Sequence, residues 1–227
     1  MNAWGCVIII VVSVCIFAGL SIYRNKLMKK LSKLLYVDNK PQEFLDQING
    51  IWGKIFFSKS IRQFQSLDAY ILLQDYDHAE QLMHDLEGQK LSYGSKINLY
   101  EKETQYFIQN GKYEEGRKAN STLQELGRQI SDPRMDSILD ECGTLVKVYA
   151  DRDGSQAHHL VEKGDAVEQK SMKGLYYYQA AKCYWYQKDK ANTDKYLKKA
   201  QLNLCGSETW DKHLEKCMRD YSALDER

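Results

Sequence analysis

Three stretches decide the fold: Leu67-Asp-Ala-Tyr70-Ile-Leu-Leu-Gln-Asp-Tyr-Asp-His-Ala79-Glu-Gln-Leu-Met83, then Thr104-Gln-Tyr-Phe107-Ile-Gln-Asn-Gly111-Lys-Tyr113-Glu-Glu-Gly116, then Ala181-Lys-Cys-Tyr184-Trp-Tyr-Gln-Lys-Asp-Lys-Ala-Asn-Thr193-Asp-Lys-Tyr-Leu197. Each reads as the end of one amphipathic helix, a polar turn and the start of the next. With the turn as a ruler, the aromatic residue of the first helix recurs at Tyr70, Phe107 and Tyr184, at intervals of 37 and 77. The second interval is close to twice the first, so a degenerate unit is expected between them. Residues 135–163 supply it, with Leu145, Val146 and Tyr149, a turn at Asp151 to Gly154, and Ala157, Leu160 and Val161. A repeat of this length marks stacked helical hairpins, because one helix pair cannot bury its apolar face alone.

The units resemble tetratricopeptide repeats over roughly residues 60 to 204. In that family small residues sit where helices approach and large apolar residues fill between. Tyr76 and Ala79, Tyr113 and Gly116, and Ala180, Ala181 and Ala200 match those roles. The family's Trp-Leu-Gly start is not intact in any unit, its terminal proline is absent, and Asn120 and Thr193 stand where small or large apolar residues are usual. The resemblance implies an all-α chain built as a solenoid of helical hairpins, with the first helices presenting a concave surface to a protein or peptide ligand. In this register the partner-binding residues would be Phe64, Asp68, Ile71, Gln105, Ile108, Tyr178, Lys182, Trp185 and Tyr186. The family's carboxylate clamp is not reproduced. Tyr176 to Tyr178 and Tyr184 to Tyr186 form an aromatic concentration that fits either a binding surface or a packed core.

Outside the array, residues 24–58 read as a basic segment followed by N-capping helices. Pro41 opens the latter in the favoured first-turn position, with Phe44, Leu45, Ile48, Ile51, Trp52, Ile55 and Phe56 as the apolar set. Pro133 after Ser131-Asp132 opens another helix. Residues 205–227 read as a polar closing helix with Trp210, His213, Leu214, Cys217 and Tyr221 on one face, since arrays need a cap.

Residues 1–23 read as a transmembrane signal anchor. No charged residue occurs from Ala3 to Tyr23, a run of 21 residues, long enough to cross a hydrocarbon core of about 30 Å as a helix. Eleven of them are Val, Ile, Leu or Phe, each contributing about −0.3 to −0.6 kcal/mol near the bilayer centre. Trp4 and Tyr23 stand at its two ends, where amphipathic rings favour the headgroup level. A cleaved signal peptide would carry positive charge before the apolar run, whereas here Arg24, Lys26, Lys29, Lys30 and Lys33 follow it. By the positive-inside rule these place the following domain in the cytoplasm, single-pass in the cell membrane, with the span and basic flank meeting lipid. Beyond the span, Leu27, Met28, Leu31, Leu34 and Leu35 form an apolar stripe opposite the lysines. It fits either an anionic lipid surface or the next helix equally well.

Charge and chemistry narrow the function. The 227-residue chain has a formal net charge of +1, against the strong basic excess of a nucleic-acid binder, so no nucleic-acid partner is expected. The total hides a basic first forty residues, +5, and an acidic remainder, −4. No nucleophile elbow, zincin helix, dinucleotide fingerprint or phosphate loop occurs. No cofactor is expected and no catalytic residue is assigned. His158 and His159 are adjacent and so point apart on a helix. Cys205, His213 and Cys217 form the one loose grouping that could serve a metal-binding or enzymatic regulator. Asn120-Ser121-Thr122 fits a glycosylation sequon, which would matter were the array an extracytoplasmic binding domain. The reading that takes in most of these features is a membrane-anchored, non-enzymatic scaffold or adaptor on the cytoplasmic face.

Overall fold

The computed structural model describes the backbone of residues 3–130 and 132–225 and, within the first helix, the side chains of Cys15 and of residues 17 onward. Every regular element among the described residues is helical, and the helices pair with their neighbours in sequence, a helical-repeat-like all-α arrangement. The chain divides into two compact units, Met1–Ser92 and Tyr93–Arg227. The division falls inside residues 59–204.

The first unit holds α1 (Ala3–Tyr36), α2 (Pro41–Asn49), α3 (Ile51–Phe56), α4 (Lys59–Leu73) and α5 (Tyr76–Glu87). Most of the expected span from Ala3 to Tyr23 lies outside the residues whose side chains are described. Among the described residues no helix is long and apolar enough to cross a membrane. The stripe after it has a definite place. Leu31, Leu34 and Leu35 are buried against Phe44, Leu45, Ile48, Phe57 and Ala69, with Leu27 and Met28 packed on the same cluster. At about 1.5–3 kcal/mol for each large apolar side chain buried, that contact holds the second half of α1 to α2. Lys26, Lys29, Lys30 and Lys33 remain exposed on the opposite face.

Pro41 occupies the first turn of α2, as expected. Gly53 allows the next reversal: a Cβ there would lie 1.9 Å from the carbonyl oxygen of Ile48, closer than any side chain tolerates. Only glycine lets α3 fold so tightly against the end of α2.

The second unit holds α6 (Tyr93–Gln109), α7 (Tyr113–Gly127), α8 (Pro133–Leu145), a π-helical turn at Val146–Ala150, a 3-10 turn at Gly154–Gln156, α9 (Ala157–Ala166), α10 (Lys170–Tyr186), α11 (Lys190–Leu204), α12 (Glu208–Arg219) and a last 3-10 turn at Tyr221–Leu224. The small residues expected at close approaches are there. Gly116 packs on Ile108 so closely that a Cβ would come within 2.7 Å of it, and Ala180, Ala181 and Ala200 are fully buried.

The hairpin turns share one construction. Gln74, Gly111 and Lys188 adopt positive φ (58°, 67° and 60°). The next amide reaches back to the carbonyls of Tyr70, Phe107 and Tyr184 at 3.0, 2.8 and 2.9 Å. This is the helix-terminating motif that closes a last turn with a left-handed residue, and the accepting residues are the three aromatics that set the period. The degenerate unit repeats the motif with Arg152 (φ 52°), but its closing bond, Asp153 to Lys147 at 2.8 Å, spans one residue more. The π-helical turn at Val146–Ala150 houses that extra residue. Asp75, Asp153 and Asp189 then cap the following helices or turns, accepting from the amides of His78, Ser155 and Asn192. Lys112 makes no such bond.

Candidate partner-binding surface

Four of the expected partner-binding residues lie together on α10. This helix is long, carries aromatic residues on nearly every face, and packs on α9 and α11. Its remaining face, with Tyr178, Lys182, Trp185 and Tyr186, meets α12 and the last 3-10 turn.

Tyr178 is buried, its hydroxyl 2.9 Å from Nε2 of His213 and its ring edge-on to Trp210 at 5.2 Å. Burial pushes its phenol far above the ordinary tyrosine range. One turn on, Lys182 is also buried. Its ammonium donates to the main-chain oxygen of Leu224 and lies 4.9 Å from the centre of the Tyr149 ring. Loss of water lowers its affinity for the proton, which neighbouring Asp225 partly restores. The Trp185 ring rests on Tyr221 at 5.7 Å, and the Tyr186 hydroxyl donates to Oδ1 of Asp225 at 3.1 Å. Arg152, the left-handed residue of the degenerate turn, brings its guanidinium to within 3.9 Å of the same carboxylate.

This face therefore accepts an aromatic ring, a peptide carbonyl and a carboxylate in a row, and residues 221–225 of the same chain supply all three. Ala223 and Leu224 are fully buried beneath it. The Asp220 side chain caps this turn, its carboxylate accepting from the main-chain amide of Ser222 at 2.9 Å.

The other expected residues lie elsewhere. Gln105 and Ile108 are on α6, where Ile108 is buried against Gly116 and Gln105 is half-buried beside Glu101. Phe64, Asp68 and Ile71 lie on α4 of the first unit, all half-buried. Asp68 accepts from the Tyr36 hydroxyl at 2.6 Å, a bond that ties the end of α1 to α4.

The loose grouping for a metal comes apart. Cys217 is fully buried, with its sulfur 3.5 Å from Nε2 of His213, but Cys205 is exposed and bonded to the carbonyl of Leu202. Among the described residues no group of three or more His, Cys, Asp or Glu side chains could hold a metal ion. Cys142 and Cys183 are buried, which pushes both thiols up to about 12 and leaves them unreactive at neutral pH. His158 is exposed, whereas His159 shares Asp140 with Lys163.

Two features escape a reading of the sequence. Arg152 joins the α10 face through its turn geometry, for which a lone arginine gives no signal. Ile51, Trp52 and Ile55, counted with the apolar set of 41–57, are exposed. Helical spacing shows that they share a face and not which way the face turns.

No family model matches the chain, and neither a curated protein nor a solved structure matches it.

Proposed function

We propose that the chain is a single-pass membrane protein whose tetratricopeptide-like hairpins bind a protein partner on the cytoplasmic face and hold it at the membrane. The observation that carries the binding part is the way residues 221–225 lie on α10. They display the chemistry this face accepts: an aromatic residue on Trp185, a peptide carbonyl on Lys182, and a carboxylate shared by Tyr186 and Arg152. The ligand class that fits is a peptide segment with an aromatic residue followed, after a short apolar step, by an acidic one. Such a segment competes with the chain's own Tyr221–Asp225.

The repeated turn at Gln74, Gly111, Arg152 and Lys188 supports the repeat reading. Such arrays offer extended faces of helices as interaction surfaces. The uncharged run from Ala3 to Tyr23 and the exposed cations after it support the anchor and its orientation.

A labelled peptide with the sequence of residues 219–225 tests the binding reading directly on the full chain. Tyr221→Ala with Asp225→Asn loosens the internal segment, and the peptide then binds this variant more tightly than it binds the wild type. Adding Arg152→Glu abolishes the gain. Absence of binding to either form, with thermal unfolding unchanged, contradicts the proposal.

A further inference from the structure

The short helix α3 turns three large apolar side chains outward. Ile51, Trp52 and Ile55 are 76%, 58% and 62% exposed, although their partners on the same helix, Gly53 and Phe56, pack inward. A fold of this size does not leave such a cluster in water without a use. Its position gives the use. The Tyr23 ring lies 5.0 Å from Phe56 and 6.2 Å from Trp52, and Trp52 stacks on Phe56 at 6.1 Å. Tyr23 is the last residue of the uncharged run, so α3 stands beside the point where that run ends. On α1, Phe17, Leu20 and Ile22 continue the exposed apolar surface.

Along α3 and the first turn of α4 the charges have one sign. Between Gln47 and Leu67 the chain carries Lys54, Lys59 and Arg62 and no acid, and α1 adds Arg24 and Lys26 one and three residues past Tyr23. A second copy of the chain would bring the same cations to the patch and be repelled. An anionic lipid surface complements them, each basic group near it contributing attraction, while tryptophan and tyrosine favour the headgroup level.

We infer that α3 seats in the interface of an anionic bilayer, with Ile51, Trp52 and Ile55 inserted among the lipids and Lys54 held at the headgroups. This rests on the anchor reading. It gives the first unit a second foothold on the membrane besides α1, and Gly53 holds it in place by letting α3 close on Ile48.

The test uses the full chain with a photoreactive benzoylphenylalanine at position 55, and separately at position 202, whose leucine is 73% exposed on α11. Both proteins are reconstituted into vesicles of phosphatidylcholine and phosphatidylglycerol, floated on a density gradient and illuminated. The expected result is flotation of both, with lipid adducts at 55 that are lost at 202. A chain that floats and gives no lipid adduct at 55, or gives adducts to a second copy of itself, overturns the inference and leaves the anchor standing. A chain that fails to float removes the anchor, and the inference with it.

Discussion

The hydroxyl of Tyr178 lies 2.9 Å from Nε2 of His213, joining the middle of α10 to the middle of α12. With Trp210 against both rings, this contact makes the closing helix part of the core. Tyr178→Phe keeps the ring and removes the bond, so the full chain should lose about 1 kcal/mol in denaturant unfolding. Tyr178→Ala also opens a cavity and should cost about 3–5 kcal/mol. Equal effects would mean that the ring contributes nothing beyond its hydroxyl.

The left-handed turn residues give a prediction of opposite sign. A side chain in this conformation costs about 1–2 kcal/mol relative to glycine, offset in part by the greater freedom that glycine has when unfolded. Gln74→Gly and Lys188→Gly should therefore raise the melting temperature, and Gly111→Ala should lower it. A fall on introducing glycine at either turn would show that the side chain of Gln74 or Lys188 does more than tolerate its backbone.

Gly53→Ala tests the reversal between α2 and α3. Its methyl group meets the Ile48 carbonyl at 1.9 Å, so the backbone must move. Overpacking of this kind costs about 1–3 kcal/mol. The substitution should destabilise the chain and make Trp52 more mobile, read as a fall in its fluorescence anisotropy where Trp4, Trp185 and Trp210 are replaced by phenylalanine. An unchanged anisotropy would mean that α3 does not depend on this glycine.

Acid should weaken the turns together. Asp75 is held below the usual carboxylate range by the His78 side chain, Asp153 by Ser155 and Asp189 by the Asn192 amide. A carboxylate whose folded affinity for the proton is depressed adds stability above its unfolded value, near 3.9. That stability is lost as pH falls through the lower folded value. Unfolding midpoints in denaturant should thus hold steady above about pH 5 and fall below about pH 4. The triple change to asparagine should flatten that acid limb, because the amide still caps without titrating.

The hairpins were legible because their turns are written locally. Asp75, Asp153 and Asp189 are capping residues just after a chain reversal, and Tyr70, Phe107 and Tyr184 stand at a constant distance before it. The extra residue at Val146–Ala150 was not legible, since Val146 and Val148 are apolar in either an α or a π register. Nor was the covering of α10. Lys182 meets Leu224 and Tyr186 meets Asp225 across about forty residues, and no local pattern records a contact of that range. Cys205 and Cys217 seemed available to one metal because both lie near His213 in sequence, yet Cys205 falls beyond the end of α11 and faces solvent.

The side of the membrane that the hairpins occupy separates a cytoplasmic scaffold from an extracytoplasmic binding domain most directly. Cys205 is a natural reporter, exposed while Cys142, Cys183 and Cys217 are buried. With Cys6 and Cys15 replaced by alanine, a membrane-impermeant maleimide should leave Cys205 unlabelled in intact cells and label it once the cells are permeabilised. Labelling of Cys205 in intact cells would contradict the cytoplasmic scaffold and move the α10 face outside.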